Sequence, residues 1–183
     1  MKTFLFLLIL IPNLSFSQKE KIKYWSEKDT LQFEDFKGKH DNPKFGALSY
    51  LSLKLENIGI TNDKINVMAI FNTKKSFIMA IHSNYVLKHE QIHFDITELF
   101  ARKIRKELLV YYKNNFNLDI KVSYDIYKRQ IKKYDLYEHE YDNETNYGRN
   151  IEQQSKWNRK IQKELEKYKE YSNDKYLKYI DSI

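Results

Sequence analysis

The residues best suited to do chemistry are two histidines and a glutamate in the stretch HEQIH, His89 to His93. On a helix, side chains four residues apart lie on one face, so both imidazoles can bind the same metal ion. Zinc is the predicted ion because neutral imidazole is a preferred zinc ligand. Glu90 can accept a proton from a water that such a metal activates. The motif therefore predicts a zinc-dependent hydrolase with Glu90 as general base, and two hydrogen-bonded core histidines are the alternative.

The helix that carries the motif is predicted from about Ser83, as N-cap, to about Tyr112. Apolar residues recur every three or four positions on the same side as the two histidines: Val86, Ile92, Ile96, Phe100 and Ile104. Charged residues fall on the opposite side: Asp95, Glu98, Arg102 and Arg105. The pattern is that of an amphipathic helix, so the charged face is predicted to lie in water, with Glu98 and Arg102 forming an i,i+4 pair.

Strand-like segments come before this helix and helical segments after it. LSLKLE alternates leucines with polar residues, as a half-buried strand does, and KINVMAIF, with Ile65, Val67, Ala69 and Phe71 at alternate positions, predicts a second strand. The turn-forming residues between them predict a hairpin. SFIMAI predicts a short third strand. From about Ile120 to Tyr179 the composition is helical, with one interruption at Gly148. The order predicts an α+β fold, in which a small antiparallel sheet packs on the motif helix and on a long C-terminal helix.

The N-terminal segment, residues 1–17, has the features of a signal peptide. Lys2 precedes an apolar run from Phe4 to Ile11, and Ser15 and Ser17 occupy the positions −3 and −1 of a cleavage site. The apolar run is too short to span a bilayer, so no stable membrane insertion is predicted for the mature chain. We therefore expect an exported protein, periplasmic or secreted, with one domain over residues 18–183. The chain has no cysteine, which excludes disulfides and a lipid anchor on cysteine.

The charge distribution argues against a nucleic-acid partner. The formal net charge is +7, but the basic residues are scattered and acidic residues lie between them. Nucleic-acid binding favours basic residues clustered on one face. We expect a peptide or protein substrate instead.

A zinc site needs a third protein ligand, and the motif helix offers none on its inward face. The segment 137–150 is richest in candidate ligands: Glu138, His139, Glu140, Asp142, Glu144 and Tyr147. Most of these residues, taken singly, also fit a solvated acidic helix, so spacing alone leaves the third ligand open.

Three stretches resemble a known family. LKHEQIHFDITELFARKIRKEL resembles the motif helix of the bacterial family labelled domain of unknown function 922, described as predicted secreted zinc-dependent proteases. YWSEKDTLQFEDFKGK is similar to its N-terminal segment and YDNETNYGRNIEQQSKWNRKI to its C-terminal landmark, so the resemblance covers about residues 24–165. It implies an exported, zincin-like metallopeptidase domain.

The resemblance also bears on the third ligand. The family pattern often carries histidine where this chain has Tyr147, which implies a ligand at Tyr147 or at Glu144, three residues earlier on nearly the same helical face. Tyr141, Tyr147 and His139 are candidates for stabilising an oxyanion. The departure at Tyr147 favours the alternative function, a non-catalytic exported metal-binding or protein-interaction domain with the same fold.

Overall fold

A computed structural model describes residues 21–39, 46–58, 64–79, 84–115 and 118–181. The fold is α+β, as predicted. The strands are β1 (Ile22–Tyr24), β2 (Ala47–Leu48), β3 (Leu51–Ile58), β4 (Lys64–Asn72) and β5 (Phe77–Ile78). The helices are α1 (Asn84–Asn114), α2 (Ile120–Thr145), α3 (Ile151–Lys167) and α4 (Asn173–Ile180).

The predicted hairpin is confirmed as β3 and β4, which pair antiparallel with Leu53 opposite Ala69 and Leu55 opposite Val67. This register places alternate apolar residues on one face of the sheet, as the sequence pattern requires. β1 pairs with the other edge of β4 and completes a three-stranded sheet. The predicted third strand is confirmed as β5, which pairs with β2 in a separate two-stranded sheet.

Helix α1 lies in the middle of the fold. It contacts β3 and β4 on one side and α2, α3 and α4 on others. Its apolar residues share one core with the sheet and the later helices, and Ile96, Leu99 and Ile104 are fully buried in that core. Residues 89–105 of α1 are mostly buried, and this packing holds the motif histidines in place.

The prediction that the charged face of α1 lies in water is wrong. Asp95, Glu98, Arg102 and Arg105 are all buried, with exposures of 4%, 3%, 1% and 0%. The reason is a second layer of structure over that face: Arg102 donates a hydrogen bond to the carbonyl of Leu165 on α3, at 2.8 Å.

Three of the four buried charges on α1, namely Glu98, Arg102 and Arg105, are paired with one another. Glu98 accepts hydrogen bonds from Arg102 Nε at 2.9 Å and from Arg105 Nη1 and Nη2 at 3.1 and 3.2 Å. Arg105 also donates to the carbonyls of Val67 and Tyr171, which ties α1 to the sheet and to the C-terminal segment. Buried ions are tolerated only with such partners.

The helical C-terminal half is interrupted where Gly148 predicted it. Helix α2 ends at Thr145, and the next residues, Asn146 and Tyr147, both have positive φ (49° and 54°). Gly148 follows with φ of 76°. Asn150 then caps α3 by accepting a hydrogen bond from the Gln153 amide. The long C-terminal helix corresponds to α3, whose buried face carries Trp157, Ile161 and Leu165.

The signal peptide at 1–17 and the N-cap at Ser83 lie outside the described residues. Within the described part of the chain, every helix is too short or too polar to cross a bilayer.

Candidate metal centre

Three ligand atoms from two helices meet at one point. His89 Nε2 and His93 Nε2, one turn apart on α1, are 3.2 Å from each other. Asp142 on α2 places Oδ1 3.1 Å from His93 Nε2 and 3.4 Å from His89 Nε2. The three atoms form a nearly equilateral triangle, and this buried His-His-Asp group could hold a metal ion.

The size of the triangle fits a zinc-like ion. Tetrahedral zinc sites have Zn–N and Zn–O bonds of about 2.0–2.2 Å, which separates neighbouring ligand atoms by about 3.3–3.6 Å. The observed separations of 3.1–3.4 Å are close to these values. Three protein ligands leave the fourth position for water or substrate, the arrangement of catalytic zinc sites.

The imidazole of His89 is oriented from its far side by α3 and α2. Its Nδ1 lies 2.9 Å from Gln154 Oε1 and 2.8 Å from Tyr141 Oη. The tyrosine ring also stacks on the imidazole, with centroids 4.8 Å apart. Because Gln154 Nε2 donates to Tyr141 Oη at 2.7 Å, the two partners hold each other in place. These contacts direct Nε2 towards the other two ligand atoms.

Glu138 orients the second histidine. Its Oε2 forms a short hydrogen bond with His93 Nδ1. A carboxylate bound to the outer nitrogen of a metal-binding histidine is a common second layer of zinc sites, since it sets the tautomer and raises the basicity of the ligand. Burial alone would lower the pKa of His93, but the carboxylates of Glu138 and Asp142, with Glu90 nearby, raise that pKa well above its ordinary value.

The charge balance of the pocket favours a cation. Glu90, Glu138 and Asp142 bring carboxylates to the same cleft as the two imidazoles. Burial opposes ionisation of Asp142, yet the two histidines hold its pKa below the usual range. A divalent ion held by the two histidines and Asp142 would offset this negative charge.

The Glu90 carboxylate is available for chemistry. It is 6% exposed and lines the cleft beside both histidines. Among the described residues no hydrogen bond or ion pair holds it, in contrast to Glu138 on the far side of His93. A general base needs this freedom to accept and return a proton.

The structure brings Asp142, and not Tyr147 or Glu144, to the two histidines. Asp142 is one turn after Glu138 on α2, so the two carboxylates face α1 together. Glu144 points away and accepts a hydrogen bond from Trp157 Nε1 at 2.7 Å. Tyr147 lies beyond the helix end and is 60% exposed at the mouth of the cleft. Asp142 belongs to the segment 137–150, which the sequence predicted to supply the third ligand. Its spacing of four residues from Glu138 places both carboxylates on one face of α2, and this spacing could have identified it.

Two of the three residues predicted to stabilise an oxyanion, Tyr141 and His139, do not line the cleft. Tyr141 is fully buried, and its hydroxyl bonds to the Nδ1 side of His89, away from the ligand triangle. It is therefore a positioning residue. His139 is exposed on α2 and is not part of the cleft lining. Tyr147 lines the cleft and is the one candidate of the three that a substrate can reach.

The metal centre opens into a cleft of about 850 Å³. One wall is the segment 46–49 with Leu51, the floor is the first half of α1, and the opposite wall is α2 with the turn at 147–149. Within the described structure β2 pairs only with β5.

Comparison with protein-family models, with curated proteins and with solved structures finds no match to this chain. The resemblance to the domain of unknown function 922 family remains a prediction from its motifs.

Proposed function

We propose that this protein is an exported zinc peptidase that hydrolyses peptide bonds by a metal-activated water. The observation that carries the proposal is the ligand triangle of His89, His93 and Asp142, with separations of 3.1–3.4 Å, beside the unpaired carboxylate of Glu90. A structural metal site would have no need of a free carboxylate or an open cleft. Export rests on the signal peptide predicted at 1–17.

A zinc ion held by these three residues would polarise the scissile carbonyl and lower the pKa of a water molecule. Glu90 takes the proton from the attacking water and returns it to the leaving amine, so the proton count balances over the cycle. Glu138 and Gln154 keep the two imidazoles fixed while this occurs. The fixed geometry lowers the reorganisation that the reaction requires.

The substrate is proposed to bind in extended form along β2. Strand addition supplies main-chain hydrogen bonds without requiring a particular side chain, and Gly46 leaves the start of this wall open because nothing lies within 4 Å of an added Cβ there. The cleft volume of about 850 Å³ is larger than a single amino acid fills, which favours peptides as substrates.

The test is hydrolysis of a quenched fluorescent peptide library by the zinc-loaded mature chain, residues 18–183, and by its Glu90→Gln variant. The proposal expects turnover by the wild type and a loss of at least about 100-fold in kcat for the variant, with zinc content unchanged. If the wild type binds zinc and shows no turnover, the protein is the non-catalytic metal-binding domain of the alternative. Turnover that is equal in both proteins would assign the activity to another site or a contaminant.

A further inference from the structure

Three polar atoms with no hydrogen-bond partner are buried in the described part of the chain, and all three belong to the same cleft. They are Ser49 Oγ, Tyr85 Oη and Glu138 Oε1. Buried polar atoms are normally paired, because they lose water on folding and gain nothing in return. The convergence of three such atoms on one cleft indicates that a ligand completes their hydrogen bonds.

The rest of the fold shows how unusual these atoms are. Other buried tyrosine hydroxyls close to the site are partnered: Tyr134 Oη lies 3.1 Å from Thr97 Oγ1, and Tyr141 Oη contacts His89 and Gln154. Even the buried ions Glu98 and Asp95 are fully engaged. Among the described residues, the buried hydroxyls without a partner are those of Ser49 and Tyr85, and both line the cleft.

The hydroxyls of Tyr85 and Ser49 belong to different sides of the cleft. Tyr85 is one turn before His89 on α1, so it shares the face that carries the metal ligands. Ser49 directly follows β2, the strand proposed to pair with substrate. Tyr85 thus lies on the metal-binding face of α1, and Ser49 lies beside the strand that is proposed to pair with the substrate.

The donor and acceptor pattern matches a peptide. Tyrosine and serine hydroxyls can donate to carbonyl oxygens, and a carboxylate oxygen such as Glu138 Oε1 can accept from an N–H. A peptide in extended form presents C=O and N–H groups in alternation along each edge.

We propose that Tyr85 donates a hydrogen bond to the oxygen of the scissile carbonyl and that Ser49 binds a neighbouring main-chain carbonyl of the substrate. As water adds to the carbonyl carbon, the π electron pair moves to that oxygen, and Tyr85 keeps its proton while its hydrogen bond strengthens. This inference rests on the proposed peptidase function and assigns its substrate contacts.

The first test separates binding from turnover. In the zinc-loaded chain, Tyr85→Phe is expected to lower kcat roughly 100-fold with little change in KM, as loss of one oxyanion donor does. Ser49→Ala is expected to raise KM about fivefold or more with kcat nearly constant, as loss of ground-state binding does. Tyr134→Phe is the matched control, because it removes a cleft hydroxyl that already has a partner. An unchanged kcat in Tyr85→Phe would overturn the assignment.

Two further measurements do not need turnover. Thermal unfolding of the zinc-loaded variants without substrate should show Tyr85→Phe at or above the wild-type Tm, because it removes an unpaired buried hydroxyl, whereas Tyr134→Phe should unfold at lower temperature. A lowered Tm in Tyr85→Phe would show that the hydroxyl has a structural role and would overturn the proposal.

The last probe is a small set of phosphinic tripeptides, which carry a tetrahedral phosphinate in place of the peptide bond. Calorimetry should show binding to the wild type and at least about tenfold weaker binding to Tyr85→Phe. Equal affinities, or no binding to the wild type, would refute the contacts proposed for Tyr85. Turnover by the wild type against Glu90→Gln reports separately on the peptidase function.

Discussion

Gly148 lies directly against the imidazole of His89. A Cβ added at residue 148 would be 3.0 Å from His89 Cγ and 3.1 Å from Nδ1, and the backbone there has φ of 76°. Both features require glycine, since other residues adopt positive φ with strain and the ring has no room to retreat from Tyr141. The turn after α2 therefore forms part of the wall that positions the first histidine.

Gly148→Ala should disturb the metal centre through this contact. We expect zinc affinity to fall roughly 10- to 100-fold, the range seen when the second layer of a zinc site is changed, and stability to fall by about 1–3 kcal/mol. Zinc titration with a competing chelator and urea unfolding measure the two effects. Gly46→Ala is the control, since an added Cβ there meets nothing within 4 Å. Equal behaviour of the two variants would contradict the role given to Gly148.

Glu138→Gln should weaken the site without unfolding it. Glutamine can still accept a hydrogen bond from His93 Nδ1, but it removes the negative charge that favours a cation, so zinc affinity should fall about tenfold or more. Glu140→Gln removes the same charge from an exposed position on the same helix, where the nearest cation is Lys160 at 3.9 Å. That variant should bind zinc like the wild type. A comparable loss in both would point to general electrostatics in place of a specific contact.

Glu98→Gln should be among the most destabilising single changes on α1. It leaves Arg102 and Arg105 buried without their shared carboxylate, which we expect to cost about 3–5 kcal/mol in the free energy of unfolding. Glu152→Gln breaks an i,i+4 pair with Lys156 on the surface of α3, where the cost should stay within about 1 kcal/mol. Chemical denaturation of both variants makes the comparison. A small effect at Glu98 would show that the buried cluster is dispensable.

The buried hydroxyl of Tyr176 should lower the free energy of unfolding at high pH. It donates to the carbonyl of Ile65 at 2.7 Å, and burial raises its pKa above the ordinary value. The unfolded chain loses this proton near pH 10 while the folded chain keeps it, so its contribution is complete below about pH 10 and declines above it. Urea midpoints measured from pH 8 to 11 should drop at the upper end. Tyr176→Phe should be less stable at pH 8 and should drop less steeply.

The sequence predicted the elements that have a clear hydrophobic period. The alternation in β3 and β4 and the helical spacing around His89 each encode a buried face, and the structure confirms those faces. The common direction of His89 and His93 was equally predictable, because side chains four residues apart on a helix lie on the same face. These features depend on residues that are close together in the chain, so they can be predicted from the sequence alone.

The features that sequence reasoning missed depend on packing between distant segments. The charged face of α1 looked solvated because a helical pattern does not reveal a second layer, and here α3 and the segment near Tyr171 cover it. Asp142 was obscured by five neighbouring candidates. Which of them faces His89 and His93 depends on the rotation of α2 about its axis, and the packing of α2 on α1 sets that rotation.

Zinc titration tests directly whether His89, His93 and Asp142 together bind a zinc ion. The proteins compared are the wild-type mature chain and its variants Asp142→Ala, Glu144→Gln and Tyr147→Phe. We predict one zinc ion per wild-type chain at micromolar metal or below and a loss of at least about 100-fold in affinity for Asp142→Ala, because it removes a ligand. Glu144→Gln and Tyr147→Phe should bind as the wild type does. A wild type that binds no zinc at neutral pH, or an Asp142→Ala variant that keeps its affinity while Tyr147→Phe or Glu144→Gln loses it, would contradict the account.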